Sequence, residues 1–157
     1  MTPTFLEISG RQVGKTHDLV QAAIRHAEES GVAIVVTSEG LADDISRRAP
    51  GAIVVTYGQH TNEEMLERVS EMEQVRWFFD EFDWYQDVPV IPGSYYCTTP
   101  RFIRRADADP AGDTLLILTR ELGGPTYQRS LTLEVEDYYT AEERELFFHG
   151  KYQELAA

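Results

Sequence analysis

Lys15 and Thr16, preceded by Gly14 and followed about 65 residues later by the adjacent acids Asp80 and Glu81, are the side chains best suited to chemistry on a phosphate. The stretch Ser9-Gly10-Arg11-Gln12-Val13-Gly14-Lys15-Thr16 fits a phosphate-loop spacing except at its first glycine position, which is Ser9. Backbone N–H groups of such a turn converge on an anion, and the helix that follows adds partial positive charge. In that role Lys15 reaches the β/γ-phosphates and the Thr16 hydroxyl ligates Mg²⁺. Trp77-Phe78-Phe79-Asp80-Glu81 is an apolar run ending in two acids, one suited to the metal shell and the other to orienting or deprotonating water. The plainer reading is a strand followed by a solvated acidic turn. Tyr95-Tyr96-Cys97-Thr98-Thr99-Pro100 ends another run with two hydroxyls, placed to sense a γ-phosphate or simply to close a strand.

These groups need a strand before the loop, a helix after it, and strands that deliver the acids and threonines. Residues 5–8 are a short apolar run, and Leu19, Val20, Ala23, Ile24 and Ala27 recur at helical spacing up to Ser30-Gly31. Residues 32–37 and 52–56 have the β-branched composition of strands buried on both faces. Residues 41–48 read as a short helix ended by Pro50-Gly51. Another helix opens with Thr61 as N-cap and Glu64 at the capping-box position, and runs to about Met72. Strands are expected over 74–79 and 94–98. The alternation predicts an α/β fold, its sheet mostly parallel with helices on both faces. Residues 114–119 and 130–135 then read as strands around Gly123-Gly124-Pro125, predicting a C-terminal antiparallel hairpin or an edge addition. A last helix starts near Thr140, with Glu142 and Glu143 in its first turn.

The length of 157 residues suits one domain, and 42% hydrophobic content places the chain among globular proteins. No apolar run approaches the roughly 20 residues of a membrane span, and the N-terminus lacks a signal-peptide pattern. A single cysteine, Cys97, excludes an intrachain disulfide and fits a reducing cytoplasm. The four histidines show no metal-ligand spacing. With 27 acidic against 14 basic side chains the net charge is −13, which disfavours sequence-independent nucleic-acid binding but is compatible with a triphosphate. The one basic concentration is Arg101, Arg104 and Arg105. It could contact nucleic-acid phosphates, reach a neighbouring subunit's nucleotide, or pair with Asp107 and Asp109.

Together the three motifs resemble those of phage large terminase ATPases. Residues 9–16 resemble their deviant Walker A, which favours Arg-Gln before x-Gly-Lys-Ser/Thr and tolerates loss of the first glycine. Phe78-Phe79-Asp80-Glu81-Phe82 is similar to their Walker B and catalytic glutamate, and Cys97-Thr98-Thr99-Pro100 to their coupling motif. Order and approximate spacing agree over residues 4–100. The resemblance implies a three-layer P-loop NTPase fold as a single domain over 1–157, with ATP as substrate and magnesium as cofactor. Ser9, Gly10, Arg11, Gln12, Val13, Gly14, Lys15 and Thr16 would bind nucleotide, and Asp80 would support the metal with Thr16. Glu81 would activate water and Thr98 and Thr99 would couple hydrolysis to movement. Arg11 would stabilise charge, or else be an exposed loop cation.

Only eight residues precede the loop and the chain stops at Ala157, so neither an adenine-contacting segment nor a nuclease domain is expected. The expectation is an ATPase without nuclease activity, phage-encoded, working in the host cytoplasm with a protein partner or as a homo-oligomer. A second reading is a nucleotide-binding regulatory or interaction protein that hydrolyses little. A third, a kinase, is disfavoured because adjacent Asp and Glu suit water activation.

Overall fold

The computed structural model describes residues 2–131 and 139–154. Among these, β1 (Phe5–Ile8) leads to α1 (Lys15–Glu29), β2 (Val32–Thr37), α2 (Glu39–Arg48), β3 (Ile53–Thr56), α3 (Glu63–Ser70) and β4 (Val75–Asp80). Then come β5 (Tyr95–Thr98), α4 (Thr114–Leu122) and α5 (Ala141–Glu143). The strands form one five-stranded sheet in the order β1-β5-β4-β2-β3, and all run parallel. The expected α/β architecture is therefore present. Among the described residues no helix is long and apolar enough to cross a membrane.

Chain contacts divide into two compact units. The first comprises Met1–Thr4, Thr16–Asp80 and Ile91–Tyr96. Its centre is β2, paired in parallel with β3 from Ile34↔Ile53 and with β4 from Val32↔Val75. Parallel neighbours require crossovers, which α2 and α3 supply. β2 is buried from Ala33 to Thr37, which is why its sequence lacks polar alternation. Leu19, Val20 and Ala23 of α1, Ile45 of α2 and Phe78 and Phe79 of β4 belong to its apolar core. Residues two apart on a strand share a face, and Trp77 accordingly stacks on Phe79 with centroids 5.8 Å apart. Helix α3 is capped by Asn62, whose side chain accepts from the Glu64 N–H, rather than by Thr61. Thr61 instead ends a 3₁₀ turn and donates its hydroxyl to the Gly58 carbonyl.

The second unit comprises Phe5–Lys15, Glu81–Val90 and Cys97–Ala157. Leu6, Ile8, Phe82, Leu115, Leu116, Leu118, Leu146 and Phe148 are buried in it. Residues 114–119 are not the expected strand but the body of α4. Asp113 caps its N-terminus by accepting from Leu116 N–H, Gly123 ends it in the left-handed region, and its buried residues recur at helical spacing. The antiparallel hairpin is thereby overturned at its first strand. Of its second strand, residues 132–135 lie outside the described residues. In its place, Tyr127 forms an isolated parallel bridge with Glu7 of β1, and Thr126 and Tyr127 N–H groups both donate to Leu6 O. Helix α5 begins at the expected Thr140, with a complete capping box to Glu143, and continues as a π-helical segment over Arg144–Phe148.

Candidate active site

The loop between β1 and α1 has the strand–turn–helix setting that its sequence requires. Gln12 and Gly14 take left-handed backbone conformations, with φ of 55° and 91°. Ser9, Gly10 and Arg11 spend their N–H groups on the carbonyls of Thr98, Arg129 and Phe147. Among the described residues, the N–H groups of Gln12, Val13 and Gly14 donate to no protein acceptor. The loop is thus anchored at its start and has donors available at its tip. Gly10 is required for packing, since a Cβ there would collide with the Phe148 carbonyl.

In the second unit the three motifs meet at Lys15. Its ammonium, on a side chain 5% exposed, donates to Gly10 O and Thr99 Oγ1, both at 2.8 Å, and lies 3.3 Å from Glu81 Oε1. The other carboxylate oxygen of Glu81 accepts from Thr99 N–H at 3.1 Å. Glu81 sits in the left-handed region (φ 52°, ψ 45°), an uncommon conformation for a non-glycine residue. That twist ends the alternation of β4. Thr98 donates its hydroxyl to Thr99 O and accepts from Asp83 N–H, while the Trp84 indole N–H donates to Thr99 O. The segment after β5 is thus tied to the segment after β4.

In the first unit, Thr16 Oγ1 donates to Asp80 Oδ1 at 2.9 Å. Thr37 Oγ1 donates to Asp80 Oδ2 at 3.0 Å, and the Tyr57 hydroxyl donates to Asp80 O. Thr37 was not singled out in the sequence, although a threonine ending a buried apolar strand is a signal for it. The Thr16 hydroxyl and the Asp80 carboxylate are hard oxygen donors of the kind magnesium takes, so these residues fit that ion. Arg11 is exposed and holds its guanidinium 4.0 Å from the centre of the Phe147 ring.

The basic cluster is not a continuous cationic patch. Arg104 is buried, and its guanidinium is shared by Asp83 (Nη1 to Oδ2, 2.9 Å) and Asp113 (Nε to Oδ2, 3.0 Å), with Phe102 against its face. Burial opposes the charge of Arg104, but its hydrogen bonds and the charges of both aspartates outweigh this and raise its pKa. Arg105 pairs with Asp107 in full solvent exposure, as one reading of the sequence held. Arg101 is exposed beside Phe102. A second group absent from the motif reading is Glu7, Ser9 and Arg129. The sequence hint was an acid inside the apolar run of β1. No protein-family model, curated protein or solved structure matches this chain.

Proposed function

We propose that this chain is a magnesium-dependent nucleoside triphosphatase with a three-layer P-loop fold, similar to the ATPase core of phage large terminases and without nuclease activity. ATP is the favoured substrate. The observation that carries the reading is the buried Lys15 ammonium at the head of α1, shared by Gly10 O, Thr99 Oγ1 and Glu81 Oε1. A cation held this way is paired with the carboxylate that would activate water and with the hydroxyl that would report on phosphate.

On binding, the polyphosphate takes the tip donors of the loop and the Lys15 ammonium. Glu81 Oε1 is then released from Lys15, while Thr99 N–H continues to orient the carboxylate for accepting a proton from the attacking water. Thr16 and Asp80 would hold the magnesium ion, which when bound neutralises charge on the transferring phosphoryl group. Arg11 reaches the phosphates only by leaving Phe147. Thr98 and Thr99 pass the change at Glu81 to Asp83 and Trp84 through the bonds between these segments. Such a module would work in a phage-infected cytoplasm with a protein partner or a second copy of itself.

The test is phosphate release from ATP and GTP with magnesium, with and without DNA. Turnover is expected in the wild type and not in Lys15→Ala; a wild type that neither binds nor hydrolyses either nucleotide overturns the reading. The second reading, binding with little hydrolysis, is favoured by the double hold of Lys15 and Thr99 on Glu81. It predicts thermal stabilisation by ATP without phosphate release.

A further inference from the structure

The structure assigns a second cation to the phosphate loop: we infer that Arg129 contacts the nucleotide's diphosphate group and is held in place for this by Glu7 and Ser9. The inference rests on the nucleotide-binding reading above and adds a residue that lies outside all three motifs.

Glu7 is the starting observation. It occupies the middle of β1 between Leu6 and Ile8 and is fully buried. A buried carboxylate is unfavourable unless paired and hydrogen-bonded, and an apolar residue in its place would serve packing as well or better. Its oxygens are therefore informative. Oε2 accepts from Ser9 Oγ at 2.7 Å and from Arg129 Nε at 2.7 Å, and Oε1 accepts from Arg129 Nη2 at 3.0 Å. This two-point grip fixes the plane and heading of the guanidinium. The Tyr127 ring, with its centre 5.0 Å from the guanidinium carbon, limits it further. The backbone of Arg129 is tied to the same loop, its N–H donating to Ser9 Oγ at 2.8 Å and its carbonyl accepting from Gly10 N–H at 2.9 Å.

With Nε and Nη2 turned to Glu7, the Nη1 edge is directed at the loop. Nη1 lies 3.9 Å from where a Cβ on Gly14 would stand. Gly14 is exposed and immediately precedes Lys15, in the part of a phosphate loop whose N–H groups cradle the α- and β-phosphates. An anion seated there meets Arg129 as well as Lys15. The loop lysine is paired with Glu81 and the guanidinium with Glu7, so Arg129 would meet an anion as a fixed, charge-assisted hydrogen-bond donor at Nη1 rather than as surplus positive charge. Ser9 then has a specific role. A glycine at the first loop position cannot donate to Glu7 and accept from Arg129 N–H at once, so this departure from the usual motif belongs to the device that aims Arg129.

The experiment measures ADP and inorganic pyrophosphate affinity by calorimetry, with melting curves for every variant. Arg129→Lys keeps a charge for Glu7 and loses the fork. The double variant Glu7→Gln/Arg129→Gln replaces the buried ion pair with a neutral amide pair, so that no unpaired charge is left inside. Both are expected to melt cooperatively near the wild type and to bind ADP and pyrophosphate about tenfold or more weakly. Ser9→Gly, although closer to the usual motif, is expected to weaken both ligands as well. A pair that only braces the fold would lower the melting temperature and leave affinity intact in folded protein. Affinities within about twofold of wild type in a folded double variant overturn the inference, while loss of binding in Lys15→Ala in the same assay keeps the nucleotide reading standing. If the wild type binds neither ligand, both fall together.

Discussion

The Lys15 ammonium lies 3.3 Å from Glu81 Oε1, so the cation suited to phosphate and the carboxylate suited to water activation neutralise one another. Lys15 is almost wholly buried, which separates this pair from the weak, solvent-screened bridges of protein surfaces. Any anion that binds Lys15 must compete with Glu81. If the chain takes nucleotide as proposed, phosphate entry at Lys15 and release of the Glu81 carboxylate become one event.

Glu81→Gln should therefore move affinity and turnover in opposite directions. Without the carboxylate charge Lys15 is freer to take phosphate, and ATP affinity should rise by about three- to tenfold. If Glu81 is the general base, its loss should lower phosphate release by about 10²–10⁴-fold. Equilibrium titration with a fluorescent ATP analogue and steady-state phosphate release measure the two halves. Turnover equal to wild type removes Glu81 from the chemistry.

Gly10 supports a prediction about stability alone. Because a Cβ at this position runs into the Phe148 carbonyl, a backbone group that cannot rotate away, Gly10→Ala should cost about 1–3 kcal/mol or more. Gly40 in α2 has nothing within 4 Å of the same added atom, and Gly40→Ala should stabilise by about 0.5–1 kcal/mol. Urea denaturation of the two variants without nucleotide compares them directly. Equal midpoints would mean that the C-terminal segment yields at Phe148.

The difference between legible and hidden features lies in how far apart the partners are along the chain. β2 was readable because a continuous apolar run buries both faces of a parallel strand, and β4 because Trp77-Phe78-Phe79 leads into its terminal acid. The loop, the paired acids and the threonines could be picked out because their types and spacing are those that phosphate chemistry would need, and the structure brings Lys15, Glu81 and Thr99 together. Residues 114–119 misled because Thr-Leu-Leu-Ile-Leu-Thr satisfies a buried strand as well as a helix, and only Asp113 and Gly123 at its borders decide. The meeting of Lys15, Glu81 and Thr99 needs the parallel sheet before it can be seen. Arg104 with Asp83 spans 21 residues and Arg129 with Glu7 spans 122, and no local spacing signals either pair.

Arg104 and Arg105 should behave as opposites despite being neighbours. Arg104→Ala leaves Asp83, 7% exposed, without its main cation, and breaking a buried pair in this way costs about 3–5 kcal/mol. It also removes a partner of Asp113, the cap of α4. Arg105 and Asp107 are 80% and 74% exposed, and Arg105→Ala should change stability by no more than about 0.5 kcal/mol. Chemical denaturation curves of both variants test the contrast. A mild Arg104→Ala would mean that water reaches Asp83 and that the cluster is open to outside anions.

Variants at Thr16 test whether a metal is held apart from the phosphate, as the proposed function requires. The Thr16 hydroxyl is 2.9 Å from Asp80 Oδ1, and Thr37 holds the other oxygen at 3.0 Å. If the first two hold magnesium, Thr16→Ala should abolish the gain in nucleotide affinity that magnesium gives, while metal-free ADP binding through Lys15 persists. Turnover should drop by about 10²–10³-fold, as when one fixed charge-stabilising contact is lost. Thr16→Ser retains the hydroxyl and should stay within a few-fold of wild type. Thr37→Val is the matching control. It leaves Asp80 short of one hydrogen bond and should cost about 1–3 kcal/mol of stability, yet its response to magnesium should match the wild type. ADP titrations at graded magnesium concentrations, run on all four proteins, distinguish these outcomes. Equal magnesium responses in Thr16→Ala and wild type would place the metal on other ligands and leave the Thr16–Asp80 bond a purely structural link between the head of α1 and the end of β4.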